Sequence, residues 1–175
     1  MNRRSFAVAL AATFPAAFSQ VTFAAEEDIE DGCEGAVAAL KGWIKALADR
    51  DFDYLDRHLA SDFVFTGPPI AAGGGKVMGG IKNKEDFIEQ DRKIYNADIE
   101  FLGLTARRMG DLVVTVVFAK VYEEFRGDFG PDMPTAAELN ALMQGARLGY
   151  ASGWRELDGR WQCTSHHILG QLNQV

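Results

Sequence analysis

The chain reads as one α+β domain, with helices gathered on one face of a strongly curved antiparallel sheet. Three observations predict it. Helical periodicity dominates residues 34–95, a β-branched run follows over residues 99–125, and Asp158-Gly159 separates two strand-like runs near the C-terminal end. The order helix, helix, strand, helix and then long strands segregates into a helical layer and a sheet layer. With 175 residues, 47% hydrophobic and 11% aromatic, there is enough apolar surface for a single core.

The elements follow in order. Asp31 and Glu34 offer a capping box, and Val37, Leu40, Trp43, Ile44 and Leu47 then recur at helical spacing to about Asp49. Asp51 starts a short second helix whose Phe52, Leu55 and Leu59 face inward. Phe63 to Thr66 is a strand, stopped by Gly67, Pro68 and Pro69. The Gly-rich segment 71–80 reads as a loop. Its Gly73-Gly74-Gly75-Lys76 run lacks the remainder of a phosphate-binding motif. Asn83 caps a third helix, which puts Phe87, Ile88, Asp91, Ile94 and Tyr95 on one side. Residues 99–109 and 112–125 form a hairpin about Gly110-Asp111. In its second arm Phe118, Lys120 and Tyr122 share one side, and Thr115, Val117, Ala119 and Val121 the other. Pattern alone leaves open which side meets the helices. Residues 126–133 are loop, and Thr135 with Glu138 caps a helix running to Arg147. This insertion, 126–147, reads either as a lid over a cavity mouth or as surface padding.

A two-residue turn at Asp158-Gly159 fixes the register of the last hairpin, because Gly accepts the positive φ such a turn demands. Leu157 then faces Arg160, Glu156 faces Trp161, Trp154 faces Cys163, Ser152 faces Ser165 and Tyr150 faces His167. One face carries Trp154, Trp161, Cys163, Ser152, Ser165, Tyr150 and His167. The other carries Arg155, Gln162, Gly153, Thr164, Ala151 and His166, and looks solvated.

The same hairpin carries a resemblance. Gly153-Trp154, the Asp158-Gly159 turn, Trp161 and then His167 six residues on resemble the closing hairpin of the nuclear transport factor 2-like superfamily in its SnoaL-like branch. The resemblance covers roughly residues 34–170 in element order. It implies a cystatin-like, cone-shaped sheet with the three N-terminal helices packed on its concave face, a pocket at the wide end, and homodimers formed through the outer sheet face. The stretch Ala60-Ser61-Asp62-Phe63 resembles ketosteroid isomerase, whose catalytic Asp would stand just before Pro68, where this chain has Gly67. Steroid isomerisation by that base is not expected. SnoaL-type cyclases pair a His with an acid; His167 fits in type, and no strand acid stands out as its mate.

Residues 1–24 are set apart from the domain. Arg3 and Arg4 followed by an Ala-rich apolar run to Phe18 read as a signal peptide, with Arg3-Arg4-Ser5-Phe6 resembling a twin-arginine signal. The expectation is a periplasmic or secreted product with an acidic leader at 25–33 and a SnoaL-like domain at 34–175. A net charge of −7 grows more negative once Arg3 and Arg4 are gone, which argues against nucleic acid and anionic membrane as partners. Cys33 and Cys163 are either a disulfide or buried thiols.

The candidate catalytic pair is Tyr150 with His167, since a phenol beside an imidazole can polarise a carbonyl or move a proton. A mutually satisfied core pair is the alternative. Trp43, Phe65, Tyr95, Tyr122 and Ser165 are the candidate ligand-binding residues, for a small apolar or aromatic ligand. His166 and His167 point to opposite faces and cannot chelate one ion, so neither a metal nor a cofactor is expected. Three functions stay open: a small-molecule-binding domain, a small cyclase, isomerase or lyase working by general acid-base chemistry through His167 and Tyr150, and an oligomerisation module such as the association domain of calmodulin-dependent kinase, which the hairpin also resembles.

Overall fold

A computed structural model describes residues 26–71, 77–131 and 133–171. The signal segment 1–24 and the Gly-Lys run 73–76 lie outside the described residues. In chain order the elements are β1 (Glu26–Ile29), α1 (Glu34–Asp49), α2 (Phe52–His58), β2 (Leu59–Ala71), β3 (Val77–Lys82), α3 (Lys84–Asp91), β4 (Ile94–Met109), β5 (Leu112–Phe125), α4 (Ala136–Met143), β6 (Ala146–Leu157) and β7 (Arg160–Gln171). The strands form one seven-stranded sheet in the order β1-β4-β5-β6-β7-β2-β3. The layers are those expected: three N-terminal helices against a curved, unclosed sheet, with the inserted helix α4 as a fourth.

The sheet is not wholly antiparallel. β1 runs parallel to β4, and β2 runs parallel to β7. The acidic leader supplies β1, which ion pairs tie down: Lys41 Nζ lies 2.7 Å from Glu27 Oε1, and Arg107 pairs with Asp28. β2 does not stop at Gly67. It continues through Pro68 and Pro69 because its register against β3 shifts between Gly67 and Ile70, and a bulge is where residues without an N–H fit a ladder. β4 begins at Ile94, so Ile94 and Tyr95 belong to the sheet instead of the third helix. The helix α4 ends at Met143, and Arg147 lies in β6.

Capping explains the helix starts. Asp51 accepts from Tyr54 N at 2.9 Å and Asn83 from Asp86 N at 2.9 Å, while Thr135 and Glu138 make the reciprocal capping box. The box expected at Asp31 and Glu34 does not form. Gly32 turns the chain at φ +82, and Cys33 takes the cap position with no side-chain bond.

α1 packs its apolar stripe of Ala36, Val37, Leu40, Trp43 and Ile44 onto the sheet. On β5 the inward side is Val113, Thr115, Val117, Ala119 and Val121, all buried, whereas Phe118 is exposed. That resolves the alternative the sequence pattern left open. Full burial of each of the three valines contributes about 1.5–3 kcal/mol. A second cluster sits beneath α4, where Leu139 and Met143 meet Val121, Phe125 and Leu148. Asn140 fastens that helix: its Oδ1 accepts from Phe125 N at 2.7 Å and its Nδ2 donates to Phe125 O at 3.1 Å. Cys33 and Cys163 are both buried free thiols.

Candidate functional site

Two insertions in β7 decide which side chains reach the interior. From the turn, the ladder runs as expected through Leu157 with Arg160 and Trp154 with Cys163. Thr164 is then surplus, so Gly153 pairs with Ser165, Ser152 with His166 and Ala151 with His167. A second shift follows between Tyr150, which pairs with Ile168, and Gly149, which pairs with Gly170. A one-residue shift exchanges the two faces of a strand. His166 therefore faces the helices, and His167 faces away.

A cavity of about 110 Å³ lies between the helices and the sheet. Leu40, Trp43 and Ile44 of α1, Phe65 of β2 and Phe87 of α3 supply apolar wall. Phe125 of β5 and Met143 of α4 supply more, so the inserted helix contributes part of the enclosure. Polar groups are few, and they come from four elements: Asp91 and Gln90 of α3, Glu123 of β5, Tyr150 of β6 and His166 of β7.

The residues nominated from sequence are divided by this geometry. Tyr150, Trp43 and Phe65 line the cavity; His167, Tyr95, Tyr122 and Ser165 are not among its lining residues. The expected facing of Tyr150 with His167 is corrected by the bulge at Thr164. His167 instead shares a hydrogen bond between its Nδ1 and Thr66 Oγ1. Tyr95 lies near two guanidinium groups, with Arg50 Cζ 3.9 Å and Arg126 Cζ 4.5 Å from its ring centroid. Tyr122 has Lys120 Nζ 5.0 Å from its ring centroid and lies on the side of β5 opposite Val121. Ser165 is the ladder partner of Gly153.

Sequence reasoning missed Asp91, Glu123 and His166 as site residues. Two of these carried a signal. Glu123 has the same strand parity as Val117, Ala119 and Val121, and Asp91 lies one helical turn after Phe87. His166 carried none, because nothing in the local sequence announces the extra residue at Thr164.

Electrostatics set the protonation states. Burial, then the charge of Glu123, holds the Asp91 carboxyl well above the usual carboxylate range, and Lys82 offsets this in part. Burial pushes Glu123 up to about 7. Tyr150 is raised by burial and then by Glu123 and Asp91. His166 is lowered to about 3, by burial first and by His167 second, so its ring is neutral at pH 7. Glu123, Tyr150 and His166 are half-buried by accessible surface, yet burial leads each shift, because all three line the cavity.

Hydrogen bonding leaves two atoms over. His166 Nδ1 and Ser152 Oγ share a 2.8 Å bond, and the His166 ring lies 4.8 Å from that of Trp43. Among the described residues, the buried Asp91 Oδ2 and Trp43 Nε1 find no hydrogen-bond partner. Both belong to cavity-lining side chains. An acceptor or donor buried without a partner costs about 1–3 kcal/mol, which a ligand group in the cavity would recover. Neutral imidazole, phenol and a carboxyl titrating near neutrality form a set that can donate, accept and carry a proton. Among the described residues no group of three or more His, Cys, Asp or Glu is placed to hold a metal ion.

No protein-family model and no curated protein matches the chain. Solved structures do. An NTF2-like protein from Cytophaga hutchinsonii superposes with a TM-score of 0.59 at 18% identity, covering 79% of this chain and 98% of that one. A calmodulin-dependent kinase II association domain-like protein from Exiguobacterium sibiricum gives 0.60 at 11% identity, over 83% and 97% of the two chains. A ketosteroid isomerase-like protein from Shewanella frigidimarina gives 0.53 at 15% identity, over 81% and 98%.

Proposed function

We propose that this chain, which has the nuclear transport factor 2-like fold, uses its cavity to bind a small and mostly apolar molecule by one polar end. The observation that carries the reading is the buried Asp91 carboxyl, which lines the cavity with an oxygen left unpaired. A protein interior rarely keeps such an atom without a use for it. At about 110 Å³ the cavity limits the ligand to about the size of a single ring.

The test is titration with one-ring probes such as benzyl alcohol, followed by the emission of Trp43, alongside native mass spectrometry of protein purified from its own source. Saturable quenching that disappears in Trp43→Phe supports the reading. A bare mass together with no response to any one-ring probe defeats it.

A second reading, proton transfer, is favoured by Glu123. A carboxyl pushed up to about 7 and coupled to Tyr150 has the acidity of a general base working near neutrality. This moves the acid-base chemistry anticipated for His167 with Tyr150 onto Glu123, Tyr150 and the neutral His166. The likeness to a ketosteroid isomerase-like protein is consistent with it. Deuterium exchange at the α-carbon of a one-ring ketone, followed by NMR, is the direct assay. Exchange that persists unchanged in Glu123→Gln excludes this role.

Export and pairing of copies belong to the same proposal. Phe118 is 41% and Leu169 58% exposed, and both pack about Gly149 on the outer side of the sheet. Analytical ultracentrifugation of wild type against Phe118→Glu checks the homodimer. Fractionation of cells expressing the full chain checks the periplasmic or secreted location.

A further inference from the structure

We propose that the molecule taken up by this cavity is a one-ring amine, bound as its ammonium ion against Asp91 and Glu123 and walled by the rings of Trp43, Phe65 and Phe87. This deepens the binding reading above and rests on it. Among the described residues, the lining contains two carboxyl side chains and five aromatic ones, with no lysine or arginine. Asp91 is 4% exposed and keeps an unpaired oxygen.

Three ligand classes compete for such a site. An anion meets two acids and, among the described residues, no cation in the wall, so it is disfavoured. A neutral alcohol or ketone satisfies one hydrogen bond and leaves the second acid buried without compensation. An ammonium group donates to both carboxyls, removes the repulsion between them and gains from nearby aromatic faces.

Lys82 of β3 acts on Asp91 and sits 5.8 Å from the Phe65 ring centroid, outside the lining. It also feels Asp86, so its single charge is shared between two acids, while Lys93 repels it. Glu123 is shifted by burial. Tyr150 and His166 are both neutral at pH 7 and add no positive charge. Burial holds both carboxyls toward the protonated form, so an ammonium group, which stabilises their ionised form, gains from the site by displacing a proton as it binds. Trp43 Nε1–H, also unpaired, is left to meet an oxygen acceptor on the same molecule.

Calorimetric titration of the full protein with benzylamine, benzyl alcohol and benzoate tests this, since the three share a ring and differ in charge. Benzylamine is expected to bind at least about tenfold more tightly than benzyl alcohol, and benzoate not measurably. At pH 6 benzylamine is further expected to release protons, seen as a heat that depends on the ionisation enthalpy of the buffer. Glu123→Gln is expected to weaken benzylamine about tenfold and benzyl alcohol by less. Wild-type protein gives an independent check, because benzylamine should tighten between pH 5 and 8 while benzyl alcohol should not. Benzyl alcohol binding as well as benzylamine, with no proton release, overturns the amine assignment and leaves the binding reading standing. Failure of all three probes removes the binding reading itself.

Discussion

Tyr150 stacks on His166 with ring centroids 5.4 Å apart and planes 17° apart, although its partner in the ladder is Ile168. The stack exists because the ladder bulges at Thr164 without pairing it, and it brings a phenol and a neutral imidazole to the cavity wall beside Glu123. The consequences can be measured.

Stability should show opposing pH limbs. His166 is lowered from 6.5 to about 3, so its share of stability is present above pH 6.5 and drains away as pH falls towards 3. Glu123 is raised from 4.5 to about 7, so its share is present below pH 4.5 and is lost as pH rises through 7. Thermal melts across pH should therefore find Glu123→Gln more stable than wild type at pH 8, by about 1–3 kcal/mol, with little gain at pH 4. His166→Gln should flatten the acid limb. A Glu123→Gln gain that is the same at both pH values contradicts the assignment.

Trp154 and Thr115 are both fully buried, and the indole N–H donates to Thr115 Oγ1 at 3.0 Å. Thr115→Val keeps the shape and deletes the acceptor. Urea denaturation should show a loss of about 1–3 kcal/mol, because the indole is left with a donor and no partner. A loss below a few tenths would mean the bond contributes little.

Asn140 is expected to set the position of α4. Asn140→Ala removes both bonds to the Phe125 backbone and should cost about 1–3 kcal/mol. Amide exchange at Phe125 and through α4 should quicken by more than elsewhere in β5. Uniform quickening would point to global destabilisation alone.

Gly35 lies where α1 meets the last hairpin, and a Cβ there would come within 2.2 Å of Trp161 Nε1. Alanine normally gains about 1 kcal/mol over glycine inside a helix. Here Gly35→Ala should destabilise by about 1 kcal/mol or more, as overpacking outweighs propensity, and Trp161 emission should shift. A more stable variant would show that the indole turns aside freely.

The layers of the fold were legible because each element carries its own local signal. Capping at Asp51, Asn83 and Thr135, the helical stripe from Val37 to Leu47 and the Asp158-Gly159 turn all act within a few residues. Features that depend on partners distant in sequence were not legible. Pro68 and Pro69 look like a strand end until β3 is in place to accommodate the bulge, and the parallel pairing of β1 with β4 joins segments far apart in the chain. The site shows both cases. Tyr150, Trp43 and Phe65 follow from face and period, and Glu123 was readable from the parity of β5 once the inward side was known. His166 was not, because one unannounced residue in β7 exchanges it with His167.

That residue, Thr164, has a genetic corollary. Since Ser165 already pairs with Gly153 and His166 with Ser152, excising codon 164 would heal the ladder without shifting either pairing, and the imidazole would stay at the inner wall. A shortened gene product of this kind should keep its ligand, so length variation among natural versions of the hairpin need not track any change in what the pocket holds.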